Sequence, residues 1–301
     1  MEQTAHPDRQ PLWRRVADFP LVAMVIAILL YIMATAAALW VGKLIPDAGR
    51  VPNAAIHAAI AIGIMFAVYK SVMRTLGERP HDDLPAENAL KYSGLGLLAG
   101  FLLFSAVVAV AAFVNVYRIA GYGGTSNLIF SLITIAILPG FMEELLFRGI
   151  LFRWIEEFAG SWVALVLTSA LFGLAHILNP NATWFSSFAI AIEAGVLLGG
   201  AYMLTRSLWM PIGIHAAWNY TQGFIFDVPV SGGDQNGLVV AHLSGPEILS
   251  GGAFGLEASI IAMVIATAAG LWLVREAVRR GQVVQPWWVV RRRAHRAAAQ
   301  A

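Results

Sequence analysis

Eight apolar blocks, each about 20 residues long, restrict this chain to helices that cross a lipid bilayer. They fall at about 19–42, 54–73, 93–116, 126–152, 161–178, 185–205, 210–226 and 257–278. A ~30 Å hydrocarbon core takes about 20 apolar residues per helical crossing. Without water, every backbone polar group must be satisfied inside the protein, and a helix does this within its own segment. The charge content agrees with this reading. Only 13% of the 301 residues are charged and 58% are hydrophobic, whereas a water-soluble domain is about one quarter charged. The expectation is an all-α membrane protein of about eight transmembrane helices in a single bundle.

Several function classes are excluded by composition. There are no cysteines, so disulfides, thiolate metal sites and cysteine nucleophiles are ruled out. The net charge is +2 and the basic residues cluster at segment ends without forming a stripe, so nucleic acid is not an expected partner. Arg9, Arg14 and Arg15 precede the first block, which is longer than the about 7–15 apolar residues of a signal peptide and reads as a retained helix. The organisation expected is a cytoplasmic tail at 1–18, a transmembrane domain at 19–280 and a basic tail at 281–301.

Lys70, Arg74, Arg79, Lys91, Arg148, Arg153 and Arg206 fall on one side with the N-terminal arginines. Arg279, Arg280, Arg291, Arg292, Arg293 and Arg296 join them when the number of crossings is even. The positive-inside rule then puts both termini in the cytoplasm. Trp287 and Trp288 followed by Arg291 read either as an interfacial anchor or as a solvated basic tail. Compact loops and abundant alanine suggest a bacterial inner membrane.

Ionisable groups inside spanning helices are costly, so they mark protein interiors or wet cavities. The set here is Glu143, Glu144, Arg148, His176, Glu193 and His215, with His57 near a boundary. Glu144 and Arg148 lie one helical turn apart and can form an ion pair, which leaves Glu143, about 100° around the helix, as a separate carboxylate. Pro139 and Gly140 just before them should loosen the helix. Phe172 and His176 share one face, as do His215 and Asn219. Each pair also fits a plain polar contact between helices. A hairpin turning at 159–161 would bring Glu143 and His176 to the same depth, about 24 Å from the turn at 1.5 Å per residue. His215 is only a few residues past the Ser207–Pro211 connection. It matches that depth only if the hairpin projects further, with Arg153, Glu156 and Glu157 outside the membrane. Glu193 has no evident partner in the sequence.

A glutamate, two histidines and an asparagine around one intramembrane polar cavity fit two hydrolytic mechanisms. In one, Glu143 and His176 activate a water while His215 and Asn219 donate to the oxyanion. In the other, Glu143, His176 and His215 hold Zn²⁺. No HExxH motif is present, which favours the first; no cofactor is required by it. A proton-coupled transporter would use similar residues, but the internal repeats expected of one are not seen.

Glu143-Glu144-x-x-x-Arg148, Phe172-x-x-x-His176 and His215-x-x-x-Asn219, in that order, resemble the three signature motifs of the CPBP family. That family takes in type II CAAX prenyl endopeptidases and the Abi bacteriocin-processing or immunity proteins. The stretches EELLFRGILF and SLWMPIGIHAAWN carry the similarity, over about 120–225. The resemblance implies an intramembrane endopeptidase, with Glu143 and His176 activating water, His215 and Asn219 forming the oxyanion site, and Glu144 and Arg148 in support. It implies membrane lipids as surroundings and a membrane-associated or lipidated peptide as substrate. A non-catalytic immunity or binding scaffold is the alternative within the same family.

Overall fold

Apolar stretches rich in alanine and leucine, with few interior breakers, favour helix. The computed structural model describes residues 11–298; Arg9 of the N-terminal tail and residues 299–301 lie outside them. A short helix α1 (Leu12–Ala17) leads into α2 (Pro20–Lys43), α3 (Arg50–Ser71) and α4 (Ala89–Phe113). The long α5 (Leu128–Ala159) turns at Gly160, whose φ of 87° suits glycine, into α6 (Ser161–Ala175). Next come α7 (Trp184–Thr205), α8 (Trp209–Tyr220), α9 (Ile260–Arg279) and α10 (Trp287–Ala298).

Seven of the eight expected blocks form helices long and apolar enough to cross a membrane. The protein is an all-α membrane bundle. Its outward face is as apolar as its interior: Ile32, Met33 and Trp40 on α2 and Leu98 and Leu102 on α4 are all exposed where lipid tails would lie. The block at 210–226 departs from the expectation. It gives only 12 α-helical residues, α8, followed by a wider π-type turn over Thr221–Ile225. Pro211 and every residue from Gly213 to Asn219 are buried. Enclosed by protein instead of lipid, α8 has no need to match the bilayer thickness. Glycine makes that enclosure close: a Cβ on Gly100 of α4 would overlap the carbonyl oxygen of Ile214, and one on Gly96 that of Met210.

The two faces of the bundle differ. At one, the α4–α5 and α8–α9 connections pair as a two-stranded antiparallel sheet, β1 (Tyr117–Tyr122) with β2 (Val239–Leu243), in register Tyr117 to Leu243. Sequence reading did not anticipate this hairpin-like tie, whose strands are far apart in the chain. At the other, Arg14 donates to the Thr75 carbonyl at 2.6 Å, Arg291 meets Glu78 at 3.1 Å and Arg206 pairs with Glu156 at 2.5 Å. The residues beside α1, the α3–α4 connection, the α5–α6 turn and the segment leading to α10 therefore share one basic face.

Arg153, Glu156 and Glu157, expected outside the membrane, are buried within the protein. The α3–α4 connection folds over them and supplies counter-charge. Asp83, fully buried, accepts from the Tyr69 and Tyr202 hydroxyls at 2.8 Å each, from Arg153 at 3.2 Å and from His81 Nε2 at 2.6 Å. Gly149 of α5 abuts Leu208, the residue just before α8. Ten further residues of α5 run beyond that level.

Candidate active site

Pro139 has no N–H to give the carbonyl four residues back, and α5 widens into π-type turns on both sides of it, at Leu132–Ile137 and Leu145–Phe152. The carbonyl four residues back is that of Ile135, and Asn219 Nδ2 of α8 donates to it at 2.9 Å. One break in the α5 ladder thus fixes a side chain of the neighbouring helix and brings α8 against the acidic turn of α5.

That turn carries Glu143 and Glu144. Glu144 Oε1 accepts from Arg148 Nη1 at 2.8 Å, as the spacing predicts, and also from His215 Nδ1 at 2.9 Å. Glu144 and Arg148 have no exposed surface. Arg148 Nη2 reaches the Ala194 carbonyl of α7 at 3.1 Å, and its guanidinium lies 4.7 Å from the centre of the Phe172 ring. Glu144 therefore does more than balance Arg148: it holds the His215 imidazole by one nitrogen and leaves Nε2 free. Only the contact between helices shows this, since Glu144 and His215 are 71 residues apart.

His176 closes α6. Its Nδ1 lies 2.7 Å from the Phe172 carbonyl oxygen, an acceptor only, so Nδ1 carries the hydrogen and Nε2 is left as the nitrogen that can accept. The Phe172 ring is central, 4.7 Å from the His176 ring and 6.1 Å from that of His215. Glu143 lies within electrostatic range of both histidines, and its Oε2 is buried without a hydrogen-bond partner.

His215, Asn219 and Phe172 line a cavity of ≈ 30 Å³, room for one or two water-sized groups. Glu193 of α7 lines it too, and so does Glu257, which sequence reading had passed over. The available signal was an acid at the very start of an apolar block. His57 takes no part: its Nδ1 meets its own helix at Asn53 and its ring packs against Gly42. Among the described residues no three His, Cys, Asp or Glu side chains converge as a metal-ligand set. Glu143, His176 and His215 do not make such a set.

Residues 125–221 match the family described as type II CAAX prenyl endopeptidase Rce1-like. This segment, about a third of the chain, is similar to that family. It takes in α5 to α8 and every polar position of the three motifs. The match supports, at the level of the family, a membrane protease of the CAAX type. No curated protein and no solved structure matches the chain.

Proposed function

We propose that this Rce1-like protein is an intramembrane endopeptidase in which Glu143 and His176 activate a water. His215 and Asn219 stabilise the resulting oxyanion. The observation that carries the reading is that His215 and Asn219 line one small cavity while Glu143 lies within electrostatic range of both histidines. The His176 Nε2 lone pair and the Glu143 carboxylate are acceptors for the two O–H bonds of a water. Opposite them, a protonated His215 Nε2–H, charge-balanced by Glu144, and the second amide N–H of Asn219 are donors to the developing oxyanion. Glu143 takes the proton of the attacking water as general base and returns it to the leaving amine. Glu144 and Arg148 are positioning residues that act through His215.

The substrate is a membrane-associated or lipidated peptide, reached from surrounding lipid. The basic face, which gathers both ends of the described chain, lies in the cytoplasm of a bacterial inner membrane. The test is cleavage of a peptide library by the purified protein in detergent, with and without chelator, beside Glu143→Ala. Cleavage that persists with chelator and vanishes in Glu143→Ala is the expected result. Chelator-sensitive cleavage with stoichiometric zinc would replace this mechanism with a metal-dependent one. Protection of cells that survives the Glu143→Ala, His176→Ala double substitution would favour an immunity scaffold.

A further inference from the structure

The water-activating and oxyanion groups leave two buried carboxyls in the cavity without a role. Glu193 projects from α7, and Glu257 comes from the long α8–α9 connection, in a 3₁₀ turn over Leu256–Ala258. Both are within 3% of complete burial. Their environments differ. Glu257 accepts from the Ser231 backbone N–H. Glu193 Oε2 is buried with no hydrogen-bond partner, and the charged group that acts on Glu193 is Glu257. A carboxylate held so, in a low dielectric and facing a second one, is costly until a proton neutralises it or a cation joins it.

The rest of the lining is apolar: Ile190, Leu197, Leu198, Ile214 and Trp218. A volume of ≈ 30 Å³ admits a compact, water-sized head. Apolar walls suit a methylene stem. We propose that Glu193, backed by Glu257, forms a specificity subsite for the ammonium of a substrate lysine side chain next to the scissile bond. This rests on the peptidase reading above, since His215 and Asn219 line the same cavity and set its distance from the bond attacked. Glu193 supplies the counter-charge because Glu257 already has a donor.

The experiment compares quenched-fluorescence peptides that differ only in carrying lysine or norleucine at each position flanking the cleaved bond. Norleucine keeps the stem and drops the ammonium. At one position the intact protein in detergent should cleave the lysine peptide at least about tenfold more efficiently in kcat/KM. Glu193→Gln should bring the two within about twofold while still cleaving the norleucine peptide, and Glu257→Gln should weaken the preference in part. Equal cleavage of both peptides by the parent protein, or a preference retained in Glu193→Gln, would overturn the subsite. That second pattern is the one expected if Glu193 merely carries a proton. Should the protein cleave no peptide, the peptidase reading fails by itself. Fluorescence-anisotropy binding of the same two peptides then decides the subsite: Glu193-dependent preference for lysine upholds it, and indifference sinks it.

Discussion

The stability costs of removing the two partners of the Glu144–Arg148 pair should not add, while activity follows Glu144 alone. Neither side chain has exposed surface. Arg148→Met keeps the apolar bulk over Phe172 and deletes the 2.8 Å bond to Glu144 and the 3.1 Å bond to Ala194. Stranding one member of a buried ion pair costs about 3–5 kcal/mol. Glu144→Gln strands Arg148 and should cost a similar amount. Their sum would be about 6–10 kcal/mol if the two acted independently. In the double variant no charge is stranded, so the total should fall to about 3–5 kcal/mol, a coupling of at least ~3 kcal/mol.

Equilibrium unfolding in mixed detergent, read by tryptophan fluorescence from the ten tryptophans, measures this cycle. Peptide cleavage should behave differently. The carboxylate that holds His215 Nδ1 at 2.9 Å is absent from both Glu144→Gln and the double variant. Both should lose about 10²-fold or more, and regained stability should not restore rate. Additive stabilities, or an Arg148→Met cost below about 1 kcal/mol, would refute the buried network. A Glu144→Gln enzyme within a few-fold of the parent would refute the positioning of His215.

Glu143→Gln should abolish cleavage, by at least ~10²–10⁴-fold. It should leave the unfolding transition unchanged or raised, because it removes a charge whose Oε2 has no partner. Asn219→Ala should lower kcat by about 10²–10³ with one oxyanion donor gone; its stability cost should be about 1 kcal/mol from the lost bond to Ile135. Burial opposes the charge on Asp83, but the His81 hydrogen bond and the Arg153 charge outweigh it and hold the carboxyl below its ordinary value. Its contribution is present above pH 3.8 and fades as pH falls through the lowered folded value. Burial likewise opposes a charged His81, and Asp83 outweighs it, so His81 is raised above 6.5 and its contribution fades as pH rises through that value. Unfolding temperature should therefore peak between these limits, and Asp83→Asn should flatten both flanks and destabilise throughout. Gly100→Val should cost more than the usual ~1–3 kcal/mol of overpacking and lower cleavage, because its Cβ would overlap the Ile214 backbone, beside His215.

The bundle was legible because a bilayer imposes a length on each apolar segment, and seven helices obey that constraint. The block at 210–226 did not, because α8 is surrounded by protein and answers to packing. No pattern of hydropathy separates a short enclosed helix from a spanning one. The Glu144–Arg148 pair was equally legible, being a local one-turn contact. What sequence could not supply was any bond set by the arrangement of helices. Examples are His215 on Glu144, Asn219 on the Ile135 carbonyl, and the Asp83 network that buries Arg153. The paired strands β1 and β2 also escaped, since each is a short run inside a connection.

The depth of His215 shows how these levels join. Counted from the turns, α8 enters too late for its histidine to reach Glu144, which lies fifteen residues above Ala159. The structure resolves the mismatch by letting α5 run ten residues past Gly149, where Leu208 sits against it. A polar helix end of that length would be solvated on a simple projection, with Glu156 and Glu157 in water. Instead the α3–α4 connection closes over it, and Asp83 and Arg206 balance the charges. Asp83 and Leu208 are joined directly, since the Leu208 N–H donates to the Asp83 carbonyl at 2.7 Å. The start of α8 is thus tied to the same residue that anchors the end of α5. The vertical offset that lets His215 meet Glu144 is fixed at the basic face, well away from the site it serves.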